Sequence, residues 1–145
     1  MQPLDLSKAP PRSCYAELDG LMLMPRTIDK LRARLPGGDP GNYFISLGRI
    51  KGLSAFLLER LGVGEDALSE AVARCETEDQ IAAWLGERTD RSQYPAINET
   101  LKRIKPKHTE DQAFFRELYA ETLAQRPDLE AIVDIVDADD RRLFP

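Results

Sequence analysis

The chain has 145 residues, of which 42% are hydrophobic and 31% charged, and it carries a formal net charge of −5. That is globular composition, long enough for one domain over residues 1–145 whose core needs no disulfide or metal staple. The acid excess argues against phosphate backbones and anionic lipid as partners, so nucleic acid is not expected. No apolar run nears the roughly 18 residues of a spanning helix, and residues 1–15 lack the apolar stretch of a secretory signal, so no membrane association and a cytoplasmic location are expected.

Residues 3–14 hold three prolines and no sustained periodicity, so residues 1–20 are expected as an extended arm packed on the domain. Met24, Ile28, Leu31 and Leu35 then recur at helical spacing, with Pro25 suited to a first turn and Pro36-Gly37-Gly38 to a stop. Tyr43-Phe44-Ile45 has strand propensity but no evident partner. Leu53–Leu61 is a short apolar helix ended by Gly62, and Asp66–Arg74 is another. The two cysteines, Cys14 and Cys75, lie far apart in no metal-ligand or redox spacing and read as reduced thiols.

Thr77 and Thr109 each stand three residues before a glutamine, Gln80 and Gln112, which is the spacing of a reciprocal capping box, so helices are expected to start at both. The first carries Ile81, Trp84 and Leu85; the second carries Phe114, Phe115, Leu118, Tyr119, Thr122 and Leu123 and runs to about Arg126, before Pro127. Between them, Tyr94, Ile97, Leu101 and Ile104 mark a helix ended by Pro106. Leu129–Val136 reads as a helix on its stripe despite its β-branched residues. The expected fold is mainly α: a compact bundle of about seven short helices with a proline-rich arm, and with enough β propensity at Tyr43–Ile45 and Ile132–Val136 for one minor two-stranded pairing.

The runs Leu4-Asp5-Leu6-Ser7, Pro10-Pro11-Arg12-Ser13, Pro25-Arg26-Thr27-Ile28-Asp29-Lys30, Leu35-Pro36-Gly37-Gly38 and Gly41-Asn42-Tyr43 resemble a bacterial family described as an uncharacterised domain of about this length. The likeness covers the whole chain, and the Pro25–Lys30 run is its most specific part. It implies a free-standing one-domain bacterial protein and brings no activity or site roles with it.

Candidate chemistry therefore rests on the residues. Arg26, Asp29 and Lys30 open the first helix, where a cation opposes the macrodipole unless an anion compensates. At about 100° per residue Arg26 and Lys30 fall opposite the apolar stripe, so a solvated face is the plain expectation. The alternative is an arm folded over that face, making an anion pocket from Arg12, Arg26 and Lys30. Tyr43 and His108 are the other polar groups able to do acid-base or anion-binding work, and His108, the single histidine, sits just before the Thr109 cap. The acids Asp134, Asp137, Asp139 and Asp140 lack calcium-loop spacing and read as a solvated helix end stopping near Val136. No metal and no cofactor are expected. Lys102, Arg103, Lys105 and Lys107 form a basic run with acids on its flanks.

Two functions fit: a small helical binding or protein-interaction module, with self-association through exposed apolar surface left open, or a small helical enzyme or metabolite-binding protein with an anion pocket near Arg26 and Lys30. Its partner is accordingly a small molecule or a protein.

Overall fold

Asp19 and Gly20 both take left-handed backbone, with φ of 53° and 81°, the two-residue turn whose twist matches paired strands. They close a hairpin of β1 (Glu17–Leu18) and β2 (Leu21–Met22), with Leu18 opposite Leu21. Chain entry into α1 (Met24–Ala33) passes through Leu23 at φ 70°, an uncommon and strained conformation for a bulky side chain. It is over-determined there. The Leu23 N–H donates to the carbonyls of Cys14 and Ala16, its own carbonyl accepts from the Thr27 N–H and hydroxyl, and its side chain is fully packed.

The computed structural model describes residues 1–47 and 50–145, with the backbone alone for Ile50. A second antiparallel hairpin joins β3 (Ser46–Leu47) to β4 (Ile50–Lys51), with Leu47 opposite Ile50. The minor pairing expected near Tyr43–Ile45 is thus local and falls just after that stretch. Ile132–Val136, the other stretch of strand propensity, is helical.

Among the described residues six helices follow the first and lead to the last: α2 (Leu53–Leu61), α3 (Glu65–Arg74), α4 (Glu78–Gly86), α5 (Tyr94–Arg103), α6 (Gln112–Leu118) and α7 (Ala120–Gln125), then α8 (Ile132–Leu143). The architecture is mainly α, and among the described residues no helix is long and apolar enough to cross a membrane. The capping box at Thr77 forms: its hydroxyl accepts from the Gln80 N–H, and the Gln80 side chain accepts from the Thr77 N–H. The box expected at Thr109 does not. Thr109 instead donates its hydroxyl to Pro106 O, closing the 3-10 turn Pro106–His108, and Asp111 caps α6 by accepting from the Phe114 N–H at 2.9 Å. The single helix expected from there to Arg126 is broken at Tyr119, whose ψ of 23° leaves the helical region between α6 and α7.

The core gathers Leu21, Met24, Ile28, Leu57, Leu68 and Ile135, all fully buried, each contributing about 1.5–3 kcal/mol of burial. Helix α1 lies inside this body. It packs against α2, α3 and β1, and the arm runs along it, with the Leu4 N–H donating to Arg32 O, the Asp39 N–H to Leu4 O and the Leu6 N–H to Asp39 O. A Cβ on Gly38 would stand 2.9 Å from Leu4 O and 2.4 Å from Ala33 O, so only glycine lets the arm pass this close to the end of α1. Trp84 packs partly buried against the core and carries the Arg88 guanidinium over its ring at 4.3 Å. Cys14 and Cys75 are buried, free thiols.

Candidate functional site

The face of α1 opposite its apolar stripe is not solvated: Arg26 is 2% exposed and Asp29 4%. Two segments cover it and supply the compensating charges. The arm places Arg12 against Asp29 in a bidentate pair, Nε to Oδ2 at 3.0 Å and Nη2 to Oδ1 at 2.9 Å, and the Arg12 main-chain N–H adds a third bond to Oδ2. Glu78, in the first turn of α4, takes the other edge of the same guanidinium. The arm-over-helix geometry is therefore real, and Arg12 enters it with its charge already matched.

The second cover is α8. The helix expected to stop near Val136 runs on to Leu143, and Asp137 and Asp140, expected in solvent, are 9% and 7% exposed. They lie three residues apart, on one helical face aimed at α1 and the arm. Asp140 receives Arg26 Nη1 at 2.6 Å on one oxygen and the Tyr43 hydroxyl at 2.7 Å on the other. The Arg26 guanidinium also sits 5.4 Å from the Tyr43 ring centroid. Burial and the hydrogen bond to Asp140 both push the Tyr43 phenol upward, so it stays a donor. Asp137 accepts from the Cys14 N–H at 2.9 Å and from the Ser13 hydroxyl, and Asp134 accepts from the Tyr15 hydroxyl at 2.7 Å. These acids hold the arm down.

Two groups in this network keep unspent capacity. Arg26 uses Nη1 for Asp140 and for Arg12 O, while its Nε–H and Nη2 donors bond none of the described residues. Lys30, one helical turn further on and half-buried, donates to Phe44 O at 3.0 Å and to Ser54 Oγ at 3.5 Å. No carboxylate of the described residues lies within ion-pair reach of it. Burial, then repulsion from Arg26, lower its pKa to about 7. A lysine so placed has two outlets: it gives up its proton and becomes a nucleophilic amine, or it takes in an anion that restores its charge. Cys14 has neither property, since burial, reinforced by Asp137 against the pull of Arg26, pushes its thiol up to about 12.

Of the residues singled out from sequence, the structure joins Arg12, Arg26, Asp29, Lys30 and Tyr43 around one helix face. His108 stays apart: it is exposed in the Pro106–His108 turn, and its Nδ1 accepts from the Lys105 N–H at 3.0 Å. Sequence reasoning missed Asp137, Asp140 and Ser54. Extending the Leu129–Val136 stripe to Arg141 and Arg142, which favour a helix C-terminus, was the signal available for the two acids. Ser54 had none.

A separate cleft of about 420 Å³ opens at the end of the basic run, lined by Lys105, Lys107, Arg116, Leu123, Leu129 and Glu130 among others. Lys105 pairs with Glu130 at 3.3 Å; Lys107 and Arg116 have no ion-pair partner among the described residues.

Fold and site together define a mainly α protein with a charged network buried between its first and last helices. The chain belongs to the family described as a domain of unknown function (DUF5069), which matches residues 8–142. No curated protein matches it.

Proposed function

We propose that the protein binds a small organic anion at the α1 face, through Lys30 and the Arg26 donors that bond none of the described residues. One observation carries the reading: Lys30, half-buried and with its pKa lowered by that burial and by the neighbouring Arg26 cation, has no carboxylate of the described residues within ion-pair reach. An anion seated there answers the Lys30 charge, while Arg26, already paired with Asp140, adds the planar donors that carboxylates and phosphates take. Asp140, the Tyr43 ring and the carbonyl of Arg12, itself anchored on Asp29, hold Arg26 in place, and Phe44 O and Ser54 Oγ hold Lys30. His108 has no part in this site.

Binding of this kind couples to protonation. An anion raises the Lys30 pKa, so affinity falls as pH rises above about 7. A thermal-shift titration with oxalate and phosphate against chloride at matched ionic strength tests it: the melting temperature rises more at pH 6.5 than at 8.5, and Lys30→Met abolishes the difference. An equal rise in Lys30→Met removes the reading.

A second reading rests on the cleft. Lys107 and Arg116, without an ion-pair partner among the described residues, line it together with Leu123 and Leu129 and match an acidic segment of a partner protein with an apolar anchor. Reversal of both charges to glutamate abolishes capture of such a partner while the α1 site keeps its anion response. The acid-rich composition and the two buried free thiols support a cytoplasmic protein acting as one domain over 1–145, without nucleic acid.

A further inference from the structure

Arg26 and Lys30 stand four residues apart on α1, the spacing at which helical side chains are neighbours. One offers Nε–H and Nη2 donors that bond none of the described residues and the other an amine whose hydrogens are already directed to Phe44 O and Ser54 Oγ. Ser54 Oγ in turn lies 2.8 Å from Thr27 Oγ1, and Thr27 donates to Leu23 O, so both hydroxyls are oriented by the strained entry of α1. The carboxylate and the carbonyl carbon of a 2-oxo acid are directly bonded, so such a molecule spans two adjacent side chains.

We propose that Lys30 is a covalent amine site for small 2-oxo acids, the carboxylate seated on the Nε–H and Nη2 donors of Arg26 and the carbonyl carbon on Lys30 Nζ. This rests on the anion-binding reading and adds a bond to it. The Nζ lone pair attacks the carbonyl carbon, the C=O π pair moves to oxygen, and a proton passes from nitrogen to that oxygen to give a carbinolamine. The hydroxyl then leaves as water with a proton from solvent while the nitrogen lone pair forms the C=N bond, and loss of the remaining N–H proton gives the imine. Amine and oxo acid become imine and water, with no oxidant or reductant consumed. The attack needs a neutral amine, which ordinary surface lysines supply only far above neutral pH and Lys30 supplies near pH 7. Cys14 stays a spectator because its thiol is held protonated.

Trapping reads the imine directly. The intact chain is incubated with glyoxylate and sodium cyanoborohydride at pH 7.5, and the modified peptides are mapped by mass spectrometry. Lys30 is expected to acquire a single reduced adduct roughly tenfold faster than Lys8 or Lys107, and glyoxylate to outpace acetaldehyde at Lys30 by a similar factor, because its carboxylate is positioned. Arg26→Gln removes the preference for glyoxylate while Lys30 still takes acetaldehyde. Should that variant unfold by circular dichroism, oxalate serves instead, slowing glyoxylate capture in the unaltered protein. Labelling of Lys30 no faster than of Lys8, or equal rates for the two aldehydes, overturns the proposal. Oxalate raising the melting temperature without any Lys30 adduct leaves anion binding standing and removes the covalent step; neither effect removes both.

Discussion

Arg26 on α1 and Asp140 on α8, 114 positions apart in the chain, meet at 2.6 Å with side chains 3% and 9% exposed. A pair so buried contributes little net stability over a well-packed apolar pair, because desolvating two charges offsets their attraction. Removing one partner is another matter. Asp140→Ala leaves a buried guanidinium unanswered and frees the Tyr43 hydroxyl, and it should cost about 3–5 kcal/mol by urea denaturation. Arg26→Met with Asp140→Leu should cost far less than the two single changes added, a deficit that a double-mutant cycle reads as coupling.

Stability against pH should carry the mark of Lys30. Its pKa is lowered from 10.5 to about 7 by burial, so between those values the unfolded chain binds a proton that the folded chain does not. Stability from this group therefore rises with pH across that window, and its penalty is fully present below pH 7. Lys30→Met should flatten the slope by up to about 1.4 kcal/mol per pH unit and gain most over the parent at low pH. Parallel denaturation curves for the two proteins from pH 6 to 10 would count against a desolvated amine.

The two threonine boxes, alike in sequence, should respond differently. Thr77→Ala removes a formed cap and should cost about 1 kcal/mol, as should Asp111→Ala at the start of α6. Thr109→Ala loses only a hydroxyl on a short turn and should cost a few tenths. Equal losses at Thr77 and Thr109 in thermal unfolding would contradict the cap placement.

Cys14 should be silent to thiol reagents in the native state. It is wholly buried with its thiol pushed up to about 12, so at pH 8 a chromogenic disulfide should react with it only after denaturant is added. Prompt native-state reaction in a Cys75→Ser variant would show that the arm lifts off α1.

The helical character was legible because the periodic stripes and the stops at Gly62 and Pro106 agree with one another. What escaped was whatever depends on a partner distant in sequence. Periodicity sets Arg26 opposite the stripe of α1, and from that alone the face points to water; the arm and α8 folding back over it turn it inward. The Thr109 box failed since Pro106 O offered the hydroxyl a nearer acceptor and Asp111 competed for the same helix start. Asp137 and Asp140 were assigned to solvent because acids oppose the dipole at a helix C-terminus, an argument that buried cations on another element reverse. An extended arm over the α1 face is one of the two expectations the sequence leaves open, but as an anion pocket of Arg12, Arg26 and Lys30; the seat of Arg12 on Asp29 is not among them.

The pairing of α1 with α8 also sets an order of assembly. A ribosome makes Arg26 well over a hundred residues before Asp140 emerges, and until then the first helix holds a charge with nothing to pair it. A nascent chain short of α8 therefore gains by leaving α1 in water, which defers closure of the core and gives a chaperone an open substrate for most of synthesis.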